Sequence, residues 1–427
     1  MAEVVPVRAL LYDPKRAGPL DDLVAPPYDV VSETERAALA AKSPYNIVRV
    51  DLPEGDPEQK YANAARELRG WVDEGILRRD AVPAFYRYHQ VFSVAGRQHT
   101  RKGFVSRIRL RRFEEGVVLP HERTLSGPRL DRLALARACR TNLSQVFALY
   151  SDPAGSIDAE FASVDSRPPE MEARLADGAV HRLWRLTDRA AHARIGADLS
   201  DKRVYIADGH HRYETMLAIR DELRPQARSP RSSIEYGSMF LTSMDDPGLV
   251  ILPTHRVVHG LPGFDLSRFL DRLRARFDVR ELPGDAAGSL RAPPEQREGS
   301  YLLASQGRFF SLSLKRGEEN AVPGPAVLRR LDVPILHGLI LEEILGIDRS
   351  AQERQTNLRY VKDFKSALEE SRRPEVQAAF LLNPTRIEQL KAVADAGEVM
   401  PQKSTFFYPK LASGLLLDPI DPLEDAV

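Results

Sequence analysis

Strand-like and helix-like hydrophobic patterns alternate along the whole chain, which predicts a mixed α/β (α+β) protein rather than a helical bundle or a β-sandwich. Residues 84–92 and 101–110, on either side of Gly96, predict two strands joined by a turn. Apolar residues at helical spacing predict helices at 61–77, 131–140 and 385–396. Short apolar stretches predict further strands at 46–51, 203–206, 252–258 and 378–383, and one after residue 410. Regular structure is also expected at 180–186.

The same pattern predicts two domains. From about residue 261 the composition becomes more helical, so we place a boundary near 260 and expect domains at 1–260 and 261–427, the second being α/β. Proline-rich and charged stretches predict loops at 152–172, 224–233 and 283–298.

Composition narrows the class of protein. The chain has 61 basic residues (Lys plus Arg) and 61 acidic residues (Asp plus Glu), so it has no net positive charge to attract nucleic acid. We therefore expect no nucleic-acid partner. The single cysteine, Cys139, excludes a disulfide framework and a cysteine-rich zinc site, and we expect no zinc. The first residues lack a signal-peptide core, and the longest apolar run, 335–345, is interrupted by Glu342 and Glu343. We therefore expect a cytoplasmic protein with no membrane partner.

The stretch from Ala207 to Met216 concentrates an acid, a glycine, two imidazoles and a guanidinium at a predicted strand-to-helix junction. A helix start offers N–H groups and a partial positive charge. Gly209 gives close access to the backbone, and Arg212 can add a bidentate clamp. We therefore predict a phosphate-binding pocket formed by Asp208, Gly209, His210, His211 and Arg212.

Two other interpretations of this stretch remain open. In the simpler one, Asp208 only caps the helix and both histidines face solvent. Capping, however, explains only one of the five residues selected at this junction. In the other, Asp208, His210 and His211 form a metal centre, which is weakened because successive histidines splay apart.

A second dense group of ionisable residues follows the apolar stretch 117–119. A zinc-protease helix is excluded here because Leu125 stands where the second histidine would be needed. Glu122 is a candidate general base, and the neighbouring residues adjust its charge environment. A solvated polar loop explains the group equally well. The accessory residues of this hypothesis are His121, Arg123 and Thr124.

Three further residues are candidate accessory groups. His255 and Arg256 interrupt an apolar strand, where a buried charge needs a partner or a ligand. Lys403 precedes two hydroxyl residues and an aromatic patch, where it would serve a phosphate or ordinary loop hydrogen bonds. The chain has no P-loop, dinucleotide or nucleophile-elbow motif, so the commonest NTPase, dehydrogenase and hydrolase classes lose support.

Five segments, in one order along the chain, resemble the family called domain of unknown function 1015, whose members are bacterial and archaeal proteins. They are Ala25–Asp29, Pro120–Thr124, Ala207–Thr215, Pro253–Arg256 and Pro401–Lys410. The family name implies no activity.

The segment Asp208–Arg212 is also similar, more remotely, to the Asp-Gly-His-Thr-Arg motif of ParB-like free serine kinases and to phosphate motifs of the ParB and sulfiredoxin superfamily. This likeness implies a ParB/sulfiredoxin-like nucleotide-binding core within 1–260, with insertions and additional strands. In those kinases a glutamate acts as base, a role that the analogy gives to Glu122. His211 stands where they have threonine, which suggests a phosphohistidine or general-acid role.

The resemblance and the motifs together predict a nucleotide-dependent phosphotransferase that uses ATP or ADP and acts on a small hydroxylated metabolite such as free L-serine. Mg²⁺ is expected because phosphoryl transfer needs its developing charge neutralised, and Asp208 would help to hold it. One alternative is a phosphomonoester hydrolase in which His211 attacks or protonates. The other is a non-catalytic nucleotide-sensing protein.

Overall fold

The computed structural model describes residues 2–122, 126–284, 293 and 296–426. Its strands are β1 Val4–Val5, β2 Leu10–Tyr12, β3 Leu77–Arg79, β4 Phe85–Val94, β5 Arg97–Arg109, β6 Val118–Leu119, β7 Thr141–Asn142, β8 Val146–Tyr150, β9 Met171–Arg174, β10 Val180–Leu186, β11 Val204–Asp208, β12 Tyr236–Ser243, β13 Val250–Leu252, β14 His255–His259, β15 Phe277–Leu282, β16 Ser300–Ser305, β17 Arg308–Leu314, β18 Leu358–Val361, β19 Val376–Leu381, β20 Phe406–Tyr408 and β21 Asp418–Pro419. The mixed α/β class predicted from the sequence is confirmed.

The α-helices are α1 Pro14–Ala17, α2 Glu33–Lys42, α3 Val48–Asp51, α4 Lys60–Asp73, α5 Ser126–Cys139, α6 Ser156–Ala159, α7 Ala162–Asp165, α8 Arg189–Ser200, α9 His210–Leu223, α10 Leu266–Arg276, α11 Asp332–Ile335, α12 Arg349–Arg354, α13 Phe364–Glu370 and α14 Ile387–Asp395. A π-helical segment, Leu336–Ile344, continues α11. Among the helices that the structure describes, none combines the length and the apolar character needed to cross a membrane.

The chain divides into two compact units. Unit 1 contains residues 1–120, 124–250 and 409–427, and unit 2 contains residues 121–123 and 251–408. The sequence placed the boundary near residue 260 and kept 261–427 in one domain. The final segment instead belongs to unit 1, because β21 pairs with β7 and the Asp418 carboxylate binds Arg107 of β5.

Unit 1 is built on one large mixed sheet. Its strand order in the described residues is β6-β11-β8-β12-β5-β4-β10-β9, with β1 added alongside β5. The pairs β6–β11 and β8–β12 are parallel, and β8–β11 is antiparallel. The hairpin of β4 and β5 is the pair of strands predicted on either side of Gly96. Buried apolar residues from this sheet pack with α8 and α9 and form the principal core of unit 1.

Unit 2 has its own antiparallel sheet, with the order β15-β17-β16-β19-β14-β18. One face of this sheet packs against α10 and the π-helical segment, and Phe269, Leu273 and Leu339 are buried there. A smaller cluster contains Ala367 of α13 and Val257 of β14. Unit 2 therefore has a hydrophobic core separate from that of unit 1.

The predicted strand at 46–51 is wrong. These residues include helix α3, which begins at Val48. The Asn46 side chain explains the difference, because its Oδ1 accepts the Val48 N–H at 3.0 Å and its Nδ2 donates to the Asp22 carbonyl at 2.7 Å. This local hydrogen bonding favours a turn over an extended chain.

The apolar residues after 410 were predicted to form a strand, and this prediction is also wrong for most of the segment. They make only isolated bridges, Ala25 with Ser413 and Leu10 with Leu417, before β21 begins. Gly414 lies between these bridges with φ of 85°, which interrupts an extended conformation.

Candidate functional site

The predicted junction of strand and helix is confirmed. Strand β11 ends at Asp208, Gly209 follows with φ of 91°, and α9 begins at His210. Glycine is required by this left-handed conformation, which other residues adopt only with strain. Gly209 occupies the N-cap position and provides no side-chain cap for the first turn of α9.

Two cations meet at the Asp208 carboxylate. Its Oδ2 pairs with Nη2 of Arg212 at 2.7 Å, and its Oδ1 pairs with Nζ of Lys410. The three side chains are 18%, 9% and 14% exposed, respectively, so the ion pairs are largely shielded from water. Asp208 therefore holds a lysine and an arginine at the start of α9.

The pKa of Asp208 reflects this arrangement. Burial alone would raise it, but the positive charges of Lys410 and Arg212, helped by His210, outweigh burial and hold the pKa well below its usual value. Asp208 is thus ionised throughout the neutral range and keeps its negative charge beside both cations.

Arg212 lies beneath the helix start and does not extend into solvent. Its Nη1 donates to the Gln145 carbonyl and also contacts the Ser144 hydroxyl at 3.3 Å. Its Nε is buried and has no hydrogen-bond partner in the described part of the chain. A Cβ on Gly209 would lie only 2.8 Å from that Nε, so glycine is needed for the guanidinium to pack here as well as for the turn.

Lys410 was not assigned to the site from the sequence, although it ends one of the quoted segments. Two buried polar side chains of the central hairpin hold its backbone: Gln90 donates to the Lys410 carbonyl at 2.9 Å, and Arg101 donates to the carbonyl of Pro409. The lysine is separated from Asp208 by 202 positions, so no local pattern indicates the pair.

A small cavity of about 60 Å³ adjoins Arg212. Tyr28, from the segment Ala25–Asp29, lines it together with Arg132 and Asp51. The Arg132 guanidinium lies 4.3 Å from the centre of the Tyr28 ring and pairs with Asp51 at 3.0 Å. Two segments distant in sequence, 25–29 and 207–215, therefore meet at one cavity in unit 1.

The two histidines of the motif are partly exposed in the first turn of α9. The backbone carbonyl of His211 accepts the Thr215 hydroxyl at 2.8 Å. The participation of the His211 imidazole in chemistry stays a prediction.

Asp208 does not fit the expected role of a Mg²⁺ ligand. Both of its oxygens are engaged by cations, whereas Mg²⁺ requires oxygen ligands free to complete an octahedron. Across the described residues, no group of three or more His, Cys, Asp or Glu side chains has a metal-binding arrangement.

The remaining predicted residues lie in unit 2, apart from Arg123 and Thr124, which fall outside the described residues. Buried His121 contacts the Thr405 hydroxyl through Nε2 at 2.8 Å. Nδ1 of His255 accepts the Leu382 N–H at 3.1 Å, which ties the beginning of β14 to the end of β19. Burial lowers the pKa of His255 to about 4, so it is neutral at neutral pH.

Glu122 and Arg256 meet at the backbone of Lys403. Oε1 of Glu122 accepts the Lys403 N–H at 2.8 Å, and Nη2 of Arg256 donates to the Lys403 carbonyl at 3.1 Å. Lys403 adopts φ of 57°, an uncommon conformation for a residue other than glycine. The structure brings together these three predicted residues through the Lys403 backbone, while its side chain is exposed.

The predicted site residues thus form two groups: 208–212 in unit 1, and 121, 122, 255, 256 and 403 in unit 2. Only the first group contains a helix start with clustered cations. The assignment of Glu122 as general base stays a prediction.

Comparison with known proteins supports the resemblance drawn from the motifs. The model of the family described as a protein of unknown function, DUF1015, matches residues 4–334. The chain belongs to the DUF1015 family. Of the segments quoted for DUF1015, Pro401–Lys410 lies beyond the matched range.

Several solved structures are remotely similar to this DUF1015 chain. A conserved hypothetical protein from Pyrococcus furiosus is 13% identical with a TM-score of 0.34, covering 73% of this chain and 91% of that one. A free serine kinase in complex with AMP is 14% identical with a TM-score of 0.35, covering 70% and 89%. SbnI from Staphylococcus aureus, with a C-terminal truncation, is 9% identical with a TM-score of 0.35, covering 72% and 85%. No curated protein sequence matches the chain.

Proposed function

We propose that unit 1 binds a nucleotide through its phosphates at the start of α9 and uses it as the phosphoryl donor to a small hydroxylated metabolite. The observation that carries this proposal is the buried Arg212 guanidinium. Its Nε has no hydrogen-bond partner among the described residues, and it lies beside a helix start without a side-chain cap and near the ammonium of Lys410. An unpaired buried donor is costly, and a phosphate oxygen is the acceptor that best matches this charge.

The helix start strengthens the electrostatic case. The first-turn N–H groups of a helix and its dipole favour an anion, and α9 continues as a regular helix to Leu223. Asp208 keeps both cations in place before a ligand arrives, so little reorganisation is needed on binding. The cavity at Tyr28 lies next to Arg212, but its volume of about 60 Å³ admits only a small part of a nucleotide.

The chemistry follows from these charges. Transfer forms a bond between the terminal phosphorus and the acceptor oxygen, breaks the bridging P–O bond of the nucleotide, and passes the hydroxyl proton to a base. Lys410 and Arg212 would neutralise negative charge on the phosphates, which is the main contribution of a protein to this reaction. In this proposal Asp208 orients the two cations and does not hold a metal.

The proposal is tested by titrating ATP and ADP into the protein in a calorimeter. Arg212→Ala should weaken nucleotide binding by about 1.5–3 kcal/mol, the usual cost of losing a hydrogen bond to a charged group, which is about 10- to 150-fold in affinity. Arg220→Ala is the matched control, because Arg220 is also buried on α9 but binds the Leu110 carbonyl and Asp221. It should lower stability and leave nucleotide affinity unchanged.

Equal nucleotide affinity in the Arg212→Ala and wild-type proteins would contradict the phosphate site. Binding without transfer to any small hydroxyl compound would support the nucleotide-sensing alternative instead.

Glu122→Gln tests the predicted general base separately. If Glu122 takes the acceptor proton, the variant should keep nucleotide affinity and lose about 10²- to 10⁴-fold in kcat. If the carboxylate only fixes the Lys403 backbone, the variant should lower the melting temperature and retain turnover per folded molecule. Turnover measured with thermal denaturation of the same samples separates the two results.

A further inference from the structure

Unit 2 contains a cavity of about 210 Å³ that the proposed function does not use. His337, Tyr360 and Gln402 are part of its lining, and His337 is buried. Exposed Arg349 and Glu353 also line it, so the cavity extends from the interior of unit 2 to solvent.

The lining residues His337, Tyr360 and Gln402, which we call the inner wall, all contact one buried cation. Nε of Arg256 donates to Nε2 of His337 at 3.3 Å, and the guanidinium lies 5.2 Å from the centre of the Tyr360 ring. Nη2 of Arg256 is 3.4 Å from the Gln402 carbonyl. Arg256 therefore lies directly behind the inner wall of the cavity.

The charge of Arg256 is balanced differently from that of four other buried arginines. Within the residues that the structure describes, no carboxylate lies within ion-pair distance of it, whereas carboxylates pair directly with Arg87, Arg107, Arg132 and Arg212. Its hydrogen bonds go to neutral acceptors, among them the Thr254 carbonyl and His337. Glu122 acts on it electrostatically, with the backbone of Lys403 hydrogen-bonded to both side chains.

A fully buried guanidinium without a close anion is costly, because desolvation is not repaid by a charged partner. Burial lowers the pKa of Arg256 to about 10, which still leaves it charged at neutral pH. Since a guanidinium only donates hydrogen bonds, Nε2 of His337 must be the acceptor, and a neutral His337 then carries its proton on Nδ1. Burial, with the nearby Arg256 charge, lowers the pKa of His337 to about 3 and keeps this imidazole neutral.

We propose that this cavity binds a small carboxylate-bearing molecule whose carboxylate faces Arg256 and His337. The other lining residues restrict the charge that the other end of the ligand can carry. Glu342, Glu353 and Glu398 line the cavity, against one arginine, Arg349. A second negative charge on the ligand is therefore disfavoured, and a neutral or cationic remainder is preferred.

Four probes of similar size distinguish the possible ligand charges: propionate, β-alanine, succinate and inorganic phosphate. Each is titrated into the full-length protein, with binding followed by thermal shift and calorimetry. We expect β-alanine and propionate to bind saturably and more tightly than succinate, and phosphate not to compete with them. Failure of all four probes to bind overturns the proposal, and so does preferential binding of succinate or phosphate in competition with β-alanine.

Two substitutions test the inner wall. Arg256→Lys keeps the charge but loses the planar fork, and His337→Asn removes the imidazole, so each should weaken β-alanine binding at least tenfold. Glu398→Gln should reduce the ratio of β-alanine affinity to propionate affinity. If Arg256→Lys does not fold, His337→Asn carries the test alone.

Arg349→Gln is the control at the exposed lining and should weaken propionate binding less than either inner-wall substitution weakens β-alanine binding. Wild-type β-alanine affinity in both inner-wall variants would overturn the proposal. The site is independent of the nucleotide site, so Arg212→Ala should bind β-alanine as the wild type does. Loss of β-alanine binding in Arg212→Ala, with the protein folded, would overturn the assignment to unit 2.

Discussion

Asp208→Asn is expected to destabilise unit 1 by about 3–5 kcal/mol, the usual cost of removing one member of a buried ion pair. The reason is that Lys410 and Arg212 would remain close together, shielded from water, with no anion between them. Chemical denaturation of the variant and wild-type proteins measures the difference. Sulfate or phosphate should restore part of the lost stability, because either ion supplies the missing negative charge at the start of α9.

Glu222→Gln provides the control for this experiment. Glu222 is also on α9 and pairs with Arg137, but both side chains are substantially exposed. Its loss should change the free energy of unfolding by less than about 1 kcal/mol, and sulfate should have no specific effect. Equal stability of Asp208→Asn and wild type would show that the cluster is not the fixed arrangement described above.

The low pKa of Asp208 gives the same prediction a pH dependence. The folded-state pKa lies below the unfolded value, so the stabilisation is present above the unfolded carboxyl pKa of about 3.9 and is lost as the pH falls toward the folded value. Wild type should therefore lose its advantage over Asp208→Asn on acidification. A difference in stability that stays constant from neutral pH to about pH 2 would contradict this linkage.

Asp418→Ala is expected to have an effect of similar size, about 3–5 kcal/mol. Asp418 and Arg107 are each only 2% exposed in their side chains and form two hydrogen bonds, of 3.0 and 2.7 Å. The Arg107 guanidinium would keep its bonds to backbone carbonyls but would lose its anion. Denaturant unfolding followed by a probe in unit 1 measures the loss.

The matched control is Glu172→Ala, which removes an ion pair with Arg182 between two partly exposed side chains. We expect no measurable change from it. If Asp418→Ala is equally harmless, the terminal segment is not held to unit 1 by its buried charge.

The best-predicted part of the site is the one that depends on local sequence. The alternation before Asp208 and the helical spacing after Tyr213 located β11 and α9, and the glycine between them located the turn. Arg212 follows Asp208 by four positions, so their pairing is a contact within one junction. Such features depend on residues that are close together in the sequence.

The missed parts depend on contacts between distant residues. Lys410 reaches Asp208 only because buried hydrogen bonds from Gln90 and Arg101 hold the backbone that carries it. The apolar residues of helix α3 are buried and resemble a strand in the sequence, whereas the turn that precedes the helix depends on side-chain hydrogen bonds of Asn46, one of them to distant Asp22. The cavity beside Arg256 has no local signal, since its lining comes from the π-helical segment, β18 and the loop before Lys403.

The return of residues 409–427 to unit 1 has a consequence for the order of biosynthesis. All of unit 2 is translated before Lys410, so the last segment of unit 1 is made only after unit 2. Arg107 can pair with Asp418 only after roughly 300 further residues have been made. Asp208 can pair with Lys410 only after roughly 200 further residues. At about 5–20 residues per second this delay is tens of seconds, during which Asp208 of nascent unit 1 lacks one of its two cations.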